Sequence, residues 1–226
     1  CEPLDLGHLE KYVIKDRLLG IALELEEEAD LLALERAEGG LPPGSLGEVW
    51  FNESKREVEQ FLEQWGEDLK GEKEDPVIID VEFNGIRLRG ELGPFVNRRQ
   101  VLYRCVKEIK GKDRLRTWIR HLFASAFGEG GGVETRFYSS DKKYLSLKPM
   151  AGDSARERVK NLIELFERGM REPLPFFPEA SFAFESERLN PSPEKKGEET
   201  TSPGAKALVE ARNKWNSGHN HTGEGE

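Results

Sequence analysis

Asp80 sits within the apolar run Val77–Phe83, and Glu108-Ile109-Lys110 follows a second apolar run that contains Val101, Leu102 and Val106. Two carboxylates and a lysine delivered by neighbouring strands suit metal-dependent cleavage of a phosphodiester. The carboxylates hold Mg²⁺, and the metal and the ammonium stabilise charge developing on phosphate. A carboxylate two residues ahead of a lysine also arises by chance in a chain in which 34% of residues are charged. The strand pattern offers a competing expectation. With side chains alternating between faces, Asp80 shares a face with Ile78 and Glu82, while Val77, Ile79, Val81 and Phe83 occupy the other. Asp80 then belongs to a solvated strand face.

The remaining reactive residue types give weaker signals. None of His8, His121, His219 and His221 has a carboxylate or cysteine at helical or strand spacing that would complete a metal site. His121 is expected on a helix, hydrogen-bonded at the edge of the core. Ser125, in FASAF, lacks the Gly-x-Ser-x-Gly elbow that exposes a nucleophile. GEGGGVET leads into a strand rather than a helix, so it reads as a loop and not as a phosphate cradle. Cys1 and Cys105 make neither a disulfide framework nor a zinc site, and they suit a reducing cytoplasm. The expectation is therefore no catalytic residue, no metal and no cofactor.

Charge patterning adds a possible binding function. Across 226 residues, 34 basic against 43 acidic side chains give a net charge of −9, which disfavours a free-standing DNA-binding protein. The balance is uneven. Residues 97–120 hold 9 basic and 2 acidic side chains (9 − 2 = +7), whereas residues 1–75 hold 8 basic and 21 acidic (8 − 21 = −13). Arg98, Arg99, Arg114, Arg116 and Arg120 are the expected contacts to a DNA backbone or to an acidic partner, with Arg104, Lys107, Lys110 and Lys112 nearby. No apolar run approaches the roughly 18 residues that span a bilayer, so no membrane contact is expected.

These residues must be positioned by elements that the apolar periodicity outlines. A helix is expected from Leu9 to about Glu38, stopped by Gly39, Gly40, Pro42 and Pro43, and another from Ser45 to Trp65 with Leu46, Val49, Trp50, Val58, Phe61 and Leu62 inward. An acidic linker, GEKEDP, leads to two strand-like runs joined by Asn84-Gly85, the pair that favours a type I′ hairpin turn. QVLYRCV reads as a third strand. A helix follows from Asp113 to Phe127, with Leu115, Trp118, Ile119, Leu122, Phe123 and Ala126 inward. VETRFYSS and KYLSLKP make a second hairpin. Ser154 and Glu157 form a capping box for a helix with Val159, Leu162, Ile163, Phe166 and Met170 facing the core, and PLPFFP ends it. This order implies an α/β fold, a mixed sheet flanked by helices on both faces. Residues 1–184 are expected to form one domain and 185–226 a mostly flexible polar tail with a short helix at 205–215. The chain begins with Cys1 rather than Met, which reads as a piece of a longer polypeptide.

Several of these segments together resemble a known family. LPPGSLGEVWF, NGIRLRGELG, VLYRCVKEIKGKDRLRTWIRHLFASAFG and PLPFFPEASFAF, in this order, are similar to the C-terminal domain of the exodeoxyribonuclease V gamma chain, the RecC subunit of RecBCD. The resemblance covers nearly all of residues 3–184. It implies a restriction-endonuclease-like, PD-(D/E)xK fold with a degenerate active site. Where active relatives carry Gly-x-x-x-His, this chain has Gly47 and Phe51. Where they carry an Asp after a glycine, Glu91 follows Gly90, and where they carry Asp-Tyr-Lys, VLYRCVK offers Tyr103, Arg104 and Cys105. The resemblance further implies a domain without activity of its own. It would dock the alpha and beta subunits of an ATP-dependent helicase and exonuclease that processes double-strand DNA ends during recombinational repair.

Overall fold

The computed structural model describes residues 8–24, 31–83, 85–128, 132–192 and 202–216. The single helix expected from Leu9 to Glu38 is seen as α1 (His8–Glu24) and α2 (Leu31–Ala37), and residues 25–30 lie outside the description. Ile14, Leu18, Leu19 and Leu23 form the buried face of α1. They pack on Phe51, Val58, Phe61 and Leu69 of α3 (Ser45–Leu69), which continues past the expected end at Trp65. Val49, expected inward, is exposed, because Gly47 and Phe51 take the inward phase of the first turns. Gly47 is obligatory there, since a Cβ would collide with the Pro42 carbonyl.

The chain next forms β1 (Lys73–Glu74), inside what the sequence suggests is a linker, then β2 (Val77–Phe83) and β3 (Ile86–Leu92). β2 and β3 pair antiparallel from Val77↔Leu92 to Phe83↔Ile86, and Gly85 has the positive φ of 76° that the hairpin turn requires. Asn84 itself lies outside the described residues. The alternation is as expected, with Ile79 buried and Ile78, Asp80 and Glu82 exposed. Pro94, which offers no N–H, interrupts the pairing before β4 (Phe95–Val96). The hairpin therefore stands as a two-stranded sheet beside the main one.

The main sheet has the order β1-β4-β5-β6-β7, with β5 (Arg99–Tyr103), β6 (Glu134–Tyr138) and β7 (Tyr144–Leu147). β5 and β6 are parallel and joined through α4 (Gly111–Phe127), whereas the other neighbours are antiparallel. The sheet is mixed, and helices cover both faces. Val96, Val101 and Tyr138 point into the α1/α3 core. Gln100 and Thr135, one residue out of phase, point to α4.

α4 is enclosed on two sides. Leu122 and Ala126 pack on Ala155, Val159 and Ile163 of α5 (Gly152–Gly169), with Trp118 and Phe123 at the margin. The side toward the sheet is polar, with Asp113, Thr117, His121 and Ser125 all buried. Two expectations for α5 are corrected. Its N-cap is Ala151, so Ser154 and Glu157 lie inside the first turns and form no capping box. Phe166 and Met170 are 66% and 73% exposed, because the cluster that holds the apolar stripe ends at Ile163.

After the extended PLPFFP segment, α6 (Pro178–Leu189) begins with proline in its first turn and packs on α7 (Pro203–Asn216). Phe177 meets Trp215 edge to face, with ring centroids 4.3 Å apart. Residues 185–189, expected to be part of a flexible tail, are instead the end of a helix, held by Ser192 donating its N–H and hydroxyl to Glu187. The helix expected at 205–215 is present as α7. No helix among the described residues is long and apolar enough to cross a membrane.

Candidate functional site

The three residues of the nuclease pattern are not presented together. Asp80 projects from β2, where Arg87 donates from Nε and Nη2 to its two oxygens at 2.7 and 3.0 Å and Arg89 donates from Nε at 3.2 Å. These guanidiniums hold the exposed Asp80 carboxyl below its usual range, with Arg87 contributing most. Glu108 and Lys110 lie in the segment between β5 and α4 of the other sheet. Lys110 is the N-cap of α4, and its N–H donates to Asp113 Oδ2 at 3.2 Å. Among the described residues no three His, Cys, Asp or Glu side chains converge as metal ligands.

Glu108 and Lys110 instead border an open groove of about 1580 Å³ at the carboxyl ends of the parallel strands β5 and β6. In sheets with parallel strands this is where loops and helix N-termini collect to meet ligands. One wall is the segment from Arg104 to Asp113, and α1 and α3 supply the other through Tyr12, Lys15, Glu57 and Gln64. Two pairs of its charges are matched within the chain. Arg104 donates to Asp113 at 2.7 Å and to the Tyr12 hydroxyl at 2.6 Å, and Lys15 pairs with Glu57 at 2.9 Å. Cys105 is buried, which pushes its thiol pKa up and away from the reactive thiolate.

The N-terminus of α4, where a phosphate would find free N–H groups, is already filled. Gly111 and Lys112 donate their N–H groups to the two carboxylate oxygens of Glu179, at 2.8 and 3.1 Å. A carboxylate supplied by α6 thus satisfies two of the donors that a helix start leaves open.

The arginines of the basic segment diverge. Arg99 faces α3, pairing with Glu134 at 3.1 Å and reaching Asp68 at 3.9 Å. Arg114, Arg116 and Arg120 lie on α4, across the sheet. Arg114 stacks over Phe182 at 4.9 Å, Arg116 is exposed, and Arg120 donates from Nη2 to the Gly93 carbonyl at 2.6 Å. Arg98 is exposed in the turn before β5. Three of the positions compared with active nucleases also have defined places. Phe51 is buried in the α1/α3 core, while Glu91 and Tyr103 line a cavity beside β4.

A family model for the RecC C-terminal domain matches residues 1–188. The chain belongs to this family. Similar proteins include the RecBCD enzyme subunit RecC of Escherichia coli (strain K12), 28% identical over 189 residues that cover 81% of this chain and 16% of the relative. The RecC subunit of Mycolicibacterium smegmatis is 28% identical over 215 residues, covering 86% and 18%, and that of Buchnera aphidicola is 22% identical over 174 residues, covering 76% and 16%. The chain therefore spans about one-sixth of the length of these relatives.

Two features of this RecC C-terminal domain escape sequence reasoning. One is Glu179, which lies far from Gly111 in sequence and carries no local motif that marks it as a cap. The other is a buried polar chain between α4 and the sheet. His121, 2% exposed, lies with Nδ1 2.9 Å from Thr135 Oγ1, and Thr135 donates to Gln100 Oε1 at 3.1 Å. Because the Thr135 proton goes to Gln100, His121 Nδ1 carries a proton and acts as the donor. Burial pushes His121 below its ordinary pKa of 6.5, so the folded chain binds fewer protons than the unfolded chain once the pH drops below that value. Stability is then lost as pH falls from about 6.5 toward the depressed folded pKa. Glu35, whose pKa is raised by burial, works in the opposite sense, so the comparison must be between proteins. Urea unfolding of wild type and His121→Gln at pH 7.5 and 5.5 should show a shallower pH dependence in the variant. Identical slopes would count against this assignment.

Proposed function

We propose that this chain serves as a non-catalytic structural and docking domain of exodeoxyribonuclease V, the RecBCD helicase and nuclease complex of double-strand break repair and recombination. Its contacts would be with the alpha and beta subunits, in the cytoplasm and away from membranes. The observation that carries the reading is the family match over residues 1–188. A restriction-endonuclease-like fold with a degenerate active site is part of the proposal, supported by the parallel β5-α4-β6 crossover with helices on both sheet faces. Contact with a DNA backbone would fall to Arg98 and Arg116 before Arg99, Arg114 and Arg120, whose guanidiniums already have partners. The competing reading is a Mg²⁺-dependent nuclease using Asp80, Glu108 and Lys110. The engagement of Asp80 by two arginines, on a different sheet from the strand before Glu108, speaks against it.

Co-expression of the tagged chain with the alpha and beta subunits, followed by affinity capture, tests the docking role. Retention of at least one subunit is expected, and a well-folded chain that retains neither would overturn it. Incubation with linear DNA and Mg²⁺ or Mn²⁺ tests the competing reading. No metal-dependent cleavage is expected, and cleavage abolished by Glu108→Ala would restore the nuclease.

A further inference from the structure

A cavity of about 570 Å³ opens beside the break between β3 and β4, bounded by β5 and by the carboxyl-terminal ends of α1 and α3. Its apolar lining comprises Leu23, Leu69, Phe95, Val96 and Val101, all buried. That size suits one or two side chains of a ligand. A single guanidinium, that of Arg120, enters it from α4. Nη2 of Arg120 is anchored on the Gly93 carbonyl, but its Nε is shielded from solvent and has no hydrogen-bond partner. No carboxylate among the described residues pairs with it. Burial and the nearby positive charge of Arg116 both act against its charged form. The guanidinium therefore carries a charge that no carboxylate offsets, and an anionic group entering the cavity would gain a charge-assisted bond to it.

The surroundings narrow the class of anion. Glu24, Glu74 and Glu91 also border the cavity, as does Lys73, whose ammonium donates to the Leu23 carbonyl at 2.8 Å. A phosphodiester chain would set its repeated charges against these carboxylates, and its backbone has nothing apolar to lay on Phe95 and Val101. One carboxylate next to a large apolar group meets both requirements. We propose that this cavity is a docking site for a segment of a partner protein in which an apolar side chain fills the apolar lining and an adjacent carboxylate pairs with Arg120. The assignment deepens the docking role above and rests on it for the class of macromolecule.

The probe is the acetylated tripeptide Ala-Ala-Phe with a free terminal carboxylate, titrated into the full chain while the Arg120 Nε–H and the Val101 methyl resonances are followed. Both signals should shift at millimolar peptide. The corresponding amide and the acetylated Ala-Ala-Gly acid should each bind about tenfold more weakly, as expected for losing one charge-assisted bond or one buried side chain. Arg120→Gln should remove the preference for the acid, and Arg116→Gln should keep it. The two peptide controls use the unaltered protein, so the result does not depend on how well Arg120→Gln folds. No shift with the acid, equal binding of acid and amide, or displacement of the peptide by an oligothymidylate would overturn the assignment. Failure here with the subunits still captured removes the cavity alone, whereas peptide binding without capture removes the docking role and leaves the cavity's chemistry.

Discussion

Replacing Arg104 by methionine should destabilise the chain by about 3 kcal/mol, far more than an ordinary surface ion pair is worth. Arg104 leaves the end of β5 and joins three elements. Its Nη1 donates to Asp113 of α4 at 2.7 Å, and its Nε donates to the hydroxyl of Tyr12 of α1 at 2.6 Å. The Tyr12 ring lies 4.7 Å beneath the guanidinium. The Asp113 side chain is only 4% accessible, so removing the cation strands a carboxylate that water cannot reach. Methionine keeps most of the aliphatic stem over Tyr12, which isolates the electrostatic loss from the packing loss. The Lys110 N–H and the position of Asp113 at N3 of α4 offset part of that loss, which places the expected value at the low end for a broken buried pair. Urea denaturation should show a lower midpoint at unchanged slope. Adding Asp113→Asn should recover roughly 2 kcal/mol relative to additivity, since the stranded charge is then gone. Additive losses, or a single-variant loss below about 1 kcal/mol, would show that the pair is as dispensable as an exposed one.

Arg104 also illustrates where sequence reasoning succeeds and where it stops. Its place after the apolar run VLY is legible, and so is its mismatch with the lysine-bearing motif of active nucleases. Its partners are not, because Tyr12 and Asp113 belong to helices whose relative placement no local pattern encodes. The same division holds elsewhere. Asn84-Gly85 announces the β2-β3 hairpin through the backbone angles that Gly85 must adopt, whereas β1 hides in an acidic stretch because its only qualification is the presence of β4 beside it. Periodicity fixes the phase of a helix but not which of its faces meets a neighbour. Phe166 and Met170 continue the α5 stripe correctly and still end in solvent. The converse occurs on α4, where Asp113 and Thr117 fall outside the apolar stripe yet are buried against the sheet, because Arg104 and the backbone carbonyl of Asp113 satisfy them, while His121, expected at the core edge, is buried with Thr135 as its partner. The fold likewise spreads the basic segment. Of nine cations close in sequence, the sheet sets Arg99 on one face and Arg114, Arg116 and Arg120 on the other, so charge density along the chain does not by itself make a continuous surface.

The contact between α4 and α6 sets the second large expectation, that Gly111→Ala detaches the α6-α7 pair. Gly111 opens α4, and a Cβ there would stand 2.6 Å from the Pro178 carbonyl oxygen and 3.2 Å from Glu179 Cα. Both are backbone atoms, so no rotamer change relieves the overlap and α6 must retreat. Retreat pulls the Glu179 carboxylate from the Gly111 and Lys112 N–H groups, which sit at 2.8 and 3.1 Å. Steric cost and lost charge-assisted bonds together amount to roughly 3 kcal/mol, against at most about 1 kcal/mol that alanine returns through helix propensity. The core of α4 with α5 lies at the other end of the helix and should survive. The expected signature is therefore local: faster amide exchange and proteolysis in residues 178–192 and 202–216 with little change across β5, β6 and the α1/α3 core. Glu179→Gln is the calibrating variant. It keeps the shape and removes the charge at the helix start, so its loss should be nearer 1 kcal/mol and α6 should stay docked. If Gly111→Ala proves milder than Glu179→Gln, or if exchange rises uniformly across the chain, then close backbone approach at Gly111 is not what holds α6 in place.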